Sequence, residues 1–251
     1  MPKKIIAFDL DGTLAESKSA LSDAMAEILN KLLTKFQVCV ISGGKFEQFE
    51  KQLLANLKAD PIKLEALHLM PTCGTRYYRY DVVKSAWQKV YSEDFDADER
   101  KKIIDAMNAA LDDLDMREIK LWGEIIEDRG SQVTLSALGQ EAPVAEKEAW
   151  DPDQSKKKVL RDYIQQLIPE FEVRAGGTTS IDVTKLGIDK AYGMQKLMDM
   201  LEVTKEEILF FGDRLAEGGN DYPVMAMGID SIEVSEWKDT VLALKAILAI
   251  Y

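Results

Sequence analysis

The chain has 251 residues, 46% of them hydrophobic and 30% charged, with a formal net charge of −12. That size and composition suit one large or two modest globular domains, and the negative charge disfavours nonspecific binding to nucleic acid or anionic membranes. A single histidine and two cysteines exclude multi-histidine zinc chemistry and a disulfide framework, and point to a reducing, cytoplasmic setting.

Ile5 to Phe8 is a continuous apolar run that predicts a buried strand, ended by Asp9-Leu10-Asp11-Gly12-Thr13. Asp9 and Asp11 interrupt this run before a signal-peptide core could form, and no apolar stretch anywhere is long enough to span a membrane. Two carboxylates one residue apart repel unless a cation sits between them, and oxygen ligands suit a hard cation such as Mg²⁺. Gly12 permits a sharp turn, and Thr13 can cap the next segment. Ser19 to Leu33 carries Leu21, Ala24, Met25, Ile28 and Leu32 at helical spacing. Phe36 to Ile41 predicts a second buried strand, closed by Ser42-Gly43-Gly44, and Phe46 to Leu57 a second helix. Next come a short apolar piece at His68 to Met70 and a turn at Gly74, with His68 read as structural. This βαβα opening predicts a parallel sheet with helices on both faces.

The texture then changes. Tyr77 to Tyr80 falls near a domain junction, and Asp96 to Asp113 predicts a helix with a solvated charged face. Alternating segments at Ile119 to Ile126 and Gln132 to Leu138 are joined through Asp128-Arg129-Gly130, a hairpin-like turn. Ser155 to Ile168 predicts a helix, with short strands at Phe171 to Arg174 and Ser180 to Val183 around Gly176-Gly177. From Lys190 the βα pattern returns: a helix through Leu201, a strand at Ile208 to Phe211, then Gly212-Asp213. The expected architecture is α/β, a Rossmann-like core over 1–82 plus 185–251 with an inserted α+β cap over 83–184.

Read alone, Ser42-Gly43-Gly44 is a turn and Lys190 a solvated helix residue. In order with Asp9-x-Asp11-Gly12-Thr13 and Gly212-Asp213, however, they resemble the four motifs of the haloacid dehalogenase (HAD) superfamily. The resemblance implies that Asp9 is a nucleophile forming an aspartyl-phosphate and that Asp11 is a general acid and base. It implies that Ser42, Gly43 and Lys190 stabilise the transferring phosphoryl group, and that Asp9, Asp11 and Asp213 hold Mg²⁺, with Asn220 and Asp221 as further candidate ligands. The P-loop pattern GxxxxGK[ST] is absent, which argues against an ATP-dependent kinase.

Within the superfamily, the chain is similar to the eukaryotic-type α-phosphomannomutases and to the Cof-type sugar phosphatases. The long glycine-containing run Gly212 to Asp221 matches the mutases. Ser180-Ile181-Asp182-Val183 matches their sugar-contacting Ser-x-Asp-Val, and Arg129 their distal-phosphate arginine. On a hairpin, by itself, such an arginine reads as a surface charge. Three positions depart from the mutase pattern: Gln140 and Lys147 stand where the cap has arginines, and Lys18 where an arginine comes after the first loop. Lysine offers a point charge and glutamine none, whereas arginine grips phosphate with a bidentate fork. A mutase must hold a bisphosphate in both orientations, so these departures predict hydrolysis of a small phosphate monoester such as a hexose phosphate. The alternative is a phosphomannomutase interconverting mannose 1-phosphate and mannose 6-phosphate. A non-catalytic phosphosugar-binding module is a third reading, disfavoured because a binder needs no nucleophile with an acid/base partner. The expected partner is a small phosphorylated metabolite, with the chain a monomer or homodimer.

Overall fold

The computed structural model describes residues 2–176 and 178–250, with Val144 described through its backbone; Gly177, expected in a turn, lies outside this set. Two compact units divide the chain: Met1–Ser92 with Asp189–Tyr251, and Glu93–Ile188. Among the described residues there are eleven strands: β1 Ile5–Phe8, β2 Gln37–Ile41, β3 Leu67–Met70, β4 Arg76–Asp81, β5 Ala86–Ser92, β6 Ile126–Asp128, β7 Gln132–Ser136, β8 Phe171–Ala175, β9 Ser180–Lys185, β10 Ile208–Gly212 and β11 Asp230–Glu233.

The first unit is built on a seven-stranded sheet in the order β11-β10-β1-β2-β3-β4-β5. Pairing is parallel from β11 to β3 and antiparallel through β4 and β5. Buried on both faces, β1 sends its side chains alternately to two cores. Ile6 and Phe8 pack with the helices Asp23–Leu32 and Trp237–Ile250, and Ile5 and Ala7 with the helix Lys190–Leu201. Chain order places β1 at the sheet's reversal point, between β2 on one side and β10 on the other. Loops at the carboxyl ends of neighbouring strands diverge there and leave room for a ligand.

The sequence pattern does not predict the antiparallel hairpin of β4 and β5. Tyr77-Tyr78-Arg79-Tyr80, expected near a domain junction, lies within β4: Tyr77 is buried, and Tyr78 stacks on Phe46 with ring centroids 3.9 Å apart. The expected insertion at 83–184 differs from the second unit at its start, because β5 completes the core sheet through its pairing with β4.

The second unit carries the antiparallel sheet β6-β7-β9-β8. Val133, Leu135, Val173, Ile181 and Val183 face the helices Ala97–Asp113 and Ser155–Leu167. Asp96 and Glu99 close the first of these helices with reciprocal capping bonds. Gln132, Thr134, Ser136, Ser180 and Asp182 alternate with the apolar residues and therefore share the opposite face of the sheet. A regular strand over Ile119 to Ile126 does not form: the strand is Ile126–Asp128, Trp122, Glu124 and Ile125 make irregular backbone bonds to the end of β7 and the segment after it around Gly123 at φ +77°, and Ile119 is fully exposed. No helix among the described residues is long and apolar enough to cross a membrane.

Candidate active site

The parallel register sets the site. Phe8 pairs with Phe211 on one side and Val40 on the other, so Asp9, Gly212 and Ser42 emerge at the same end of adjacent strands. The Asp9 N–H donates to Phe211 O (2.9 Å) and the Ser42 N–H to Met70 O (3.2 Å), extending the ladder through both residues. Asp9 is only 4% exposed.

Three carboxylates converge here: ligand oxygens of Asp9, Asp213 and Asp221 all lie within 4.8 Å of one another. Two glycines admit them. Gly12 turns the chain at φ +86° directly beside Asp213, and a Cβ on Gly212 would stand 2.6 Å from the Asp221 carboxylate. Lys190 opens the helix Lys190–Leu201, whose N-terminus is capped by Asp189 accepting from the Tyr192 N–H. That helix lies hard against the neighbouring turn, where a Cβ on Gly193 would stand 2.7 Å from Cys73 O. The close approach lets the buried Lys190 Nζ reach Asp9 Oδ1 and Asp221 Oδ1, each at 2.6 Å.

Burial pushes the Asp9 carboxyl up to about 7; Lys190 opposes this, while Asp221 and Asp213 reinforce it. Burial also disfavours charge on Lys190, but Asp9 and Asp221 outweigh it and hold the ammonium above the ordinary lysine range. Asp213 is raised by burial and then by Asp221. Three acids facing one ammonium leave an excess of negative charge in a largely dry site. The donor set is all oxygen, so the residues fit a hard divalent cation.

The Asp11 carboxylate is not one of these three. It accepts from the Lys18 N–H (2.7 Å), Gln48 Nε2 (2.8 Å) and Gln52 Nε2 (3.1 Å), so Asp221, not the Asp11 side chain, joins Asp9 and Asp213. Asn220 is exposed. The buried Ser42 hydroxyl accepts from the Gly44 N–H (3.2 Å), with Gly43 between them. Lys18 is exposed, at φ +56°.

Arg129, Lys147, Ser180 and Asp182 belong to the second unit. Arg129 Nε donates to Glu127 Oε2 (2.8 Å). Thr134 donates to Asp182 Oδ1 (2.7 Å) while accepting from Gln132 Nε2 (3.0 Å), and the Ser136 and Ser180 hydroxyls lie 3.0 Å apart. Lys147 Nζ donates to the Gln140 carbonyl (3.3 Å), and Gln140 Nε2 lies 3.5 Å from Thr134 O. Sequence reasoning overlooked Gln48, Gln52 and Thr134. The i, i+4 spacing of the two glutamines, on the helix after Ser42-Gly43-Gly44, was the available signal.

Residues 25–250 match the eukaryotic phosphomannomutase family. The chain is 28% identical over 232 residues to a phosphomannomutase of Encephalitozoon cuniculi, covering 88% of this chain and 84% of that one. It is 28% identical over 227 residues to phosphomannomutase 2 of Dictyostelium discoideum, covering 88% and 86%. In fold it resembles N-terminally truncated IMP-nucleotidase of Plasmodium falciparum, with a TM-score of 0.73 at 18% identity, covering all of this chain and 71% of that one. A protein of Streptococcus mutans UA159 aligns with a TM-score of 0.65 at 18% identity, over 98% of this chain and 99% of its own. The chain is thus an enzyme of the HAD type, a phosphatase or a mutase, and belongs to the eukaryotic phosphomannomutase family.

Proposed function

We propose that the protein transfers the phosphoryl group of a small phosphorylated sugar through an aspartyl-phosphate on Asp9, with water as the main acceptor. The observation that carries this is the buried triad of Asp9, Lys190 and Asp221, with Asp213 beside it at the strand ends. An Asp9 carboxylate oxygen attacks phosphorus as the bond to the leaving alcohol oxygen breaks, and Asp11 gives that oxygen its proton. Asp11, now a carboxylate, takes a proton from the water whose oxygen attacks phosphorus. The bond to Asp9 breaks and inorganic phosphate leaves. Lys190 keeps its charge and, with the Ser42 hydroxyl and the Gly43 backbone, stabilises the equatorial oxygens. Mg²⁺ held by Asp9, Asp213 and Asp221 would supply the positive charge that lets an anionic nucleophile approach an anionic phosphate.

Arg129, Ser180 and Asp182 are proposed sugar-phosphate contacts, with Lys18 and Lys147 as weaker cationic ones. Gln140 supports hydrolysis: a neutral amide replaces a forked cation, and the adjacent Lys147 ammonium is turned to a backbone carbonyl. The mutase reading is supported by the phosphomannomutase relatives and by the long run from Gly212 to Asp221. ³¹P NMR with Mg²⁺, mannose 1-phosphate and catalytic glucose 1,6-bisphosphate separates the two. Accumulating inorganic phosphate is the expected result, hexose 6-phosphate favours the mutase, and no conversion of this or any other phosphorylated sugar overturns both.

A further inference from the structure

The helix after Ser42 is irregular where it faces the first loop. Residues 46–57 begin as an α-helix at Phe46–Phe49, pass through a π-helical turn at Glu50–Leu54 and resume at Ala55–Leu57. Such turns are rare inside α-helices and are concentrated at functional sites. Here the turn leaves the Gln52 carbonyl open to the Leu21 N–H (2.8 Å) as well as to Asn56 Nδ2 (3.1 Å). The Gln52 side chain continues the clasp, with Nε2 donating both to Ser19 O (2.9 Å) and to Asp11 Oδ1. Four residues earlier, Gln48 donates to the other oxygen of the same carboxylate.

The orientation of Gln52 is unambiguous. Two acceptors face its Nε2, so a flipped amide would set oxygen against oxygen at both contacts. That choice leaves Oε1 buried without a partner in a side chain only 3% exposed. A buried unsatisfied acceptor opposes folding, and an apolar side chain of similar shape would avoid it at the loss of the two bonds from Nε2. Stability alone therefore does not account for a glutamine at this position, whereas a demand that Asp11 point in one direction does.

We propose that Gln48 and Gln52 are positioning residues, which hold one Asp11 oxygen each and fix its carboxyl group for proton transfer. This rests on Asp11 being the acid and base of the proposed phosphoryl transfer. With the two amides and the Lys18 N–H all donating, free rotation of the carboxyl is blocked, and the segment bearing Lys18 is tied to the same helix.

The two halves of the reaction need Asp11 differently. Nitrophenolate leaves without a proton, whereas water attacking the phosphoryl-enzyme must lose one. Rapid-quench turnover of p-nitrophenyl phosphate with Mg²⁺, with intact-mass measurement of phosphorylated protein, is therefore the test, using the full chain and its Gln48→Met and Gln52→Met variants. Gln48 is half-buried at the surface, so its variant folds even if the deeper one does not. The expected result is a burst of nitrophenolate and accumulated phosphoryl-enzyme, with breakdown slowed roughly tenfold or more and formation little changed. Each variant should remain folded at the assay temperature by circular dichroism while its kcat falls. Equal slowing of both steps, a change in KM alone, or unchanged breakdown would overturn the positioning role. Absence of phosphoryl-enzyme throughout, together with undiminished turnover by Asp9→Asn, would overturn the nucleophile assignment itself and this proposal with it.

Discussion

Gly12 and Asp213 share a contact that leaves no room for a side chain: a Cβ on Gly12 would stand 2.5 Å from Asp213 Oδ2, and Gly12 sits at φ +86°. The turn after the first strand and the carboxylate after β10 are thus fitted to each other. Gly12→Ala should cost about 1–2 kcal/mol from backbone conformation alone and also displace Asp213. Calorimetric Mg²⁺ binding should weaken more than thermal stability does. A variant with unaltered Mg²⁺ affinity would refute the coupling.

The excess of carboxylates over cations around Asp9 fits the proposed Mg²⁺ site. Chelation by EDTA should abolish activity and Mg²⁺ should restore it. Ca²⁺ should restore it poorly, because its larger, looser coordination misplaces the phosphoryl group. Full activity after exhaustive chelation would contradict the role given to Asp9, Asp213 and Asp221.

The proposed preference for hydrolysis rests on Gln140. Gln140→Arg should introduce a forked cation beside Lys147 and improve retention of a bisphosphate. A charge-assisted bidentate contact contributes about 1.5–3 kcal/mol, so the isomerisation-to-hydrolysis ratio should rise about tenfold or more. An unchanged product ratio by ³¹P NMR would show that this position does not govern the outcome.

His68 is buried in β3, between the Tyr77 hydroxyl at Nδ1 (2.7 Å) and Gln37 Oε1 at Nε2 (2.8 Å). With Gln37 presenting its oxygen, Nε2 carries the proton and Nδ1 accepts from Tyr77. Burial, helped by Arg79, pushes the imidazole down from 6.5 to about 3. The neutral ring is therefore favoured in the folded state. Its stabilising effect is complete above pH 6.5 and is lost as pH falls towards 3, by up to ~1.4 kcal/mol per pH unit and on the order of 5 kcal/mol in all. Asp9 acts with the opposite sign, because its raised carboxyl favours the folded state as pH falls below about 7. The readout is accordingly the difference between wild type and His68→Gln in urea unfolding, which cancels the Asp9 contribution. That difference should shrink steadily from pH 6.5 downwards; a constant difference would show that His68 is not held neutral.

Legibility in the sequence followed chain distance. The buried runs of β1, β2 and β10, and the glycine and acidic residues that end them, were readable because strand burial and turn chemistry are local properties. Asp9, Asp11 and Asp213 stood out for that reason, whereas Ser42 and Lys190 stood out only through their order among the motifs of the HAD resemblance. The β4–β5 hairpin escaped notice because it is only partly buried, so its residues lack both the continuous apolar run and clean alternation. Other decisions came only with tertiary structure. Asp221 reaches Lys190 across 31 residues, and Gln48 and Gln52 meet Asp11 across 37 and 41. The i, i+4 spacing puts the two glutamines on one helix face, but which partner that face meets depends on which strand ends the sheet order makes neighbours. The sequence by itself determined the chemistry available, carboxylates and a hydroxyl at strand ends and a lysine opening a helix; the packing of the sheet decided which carboxylates converge on Lys190 and which one is held by amides.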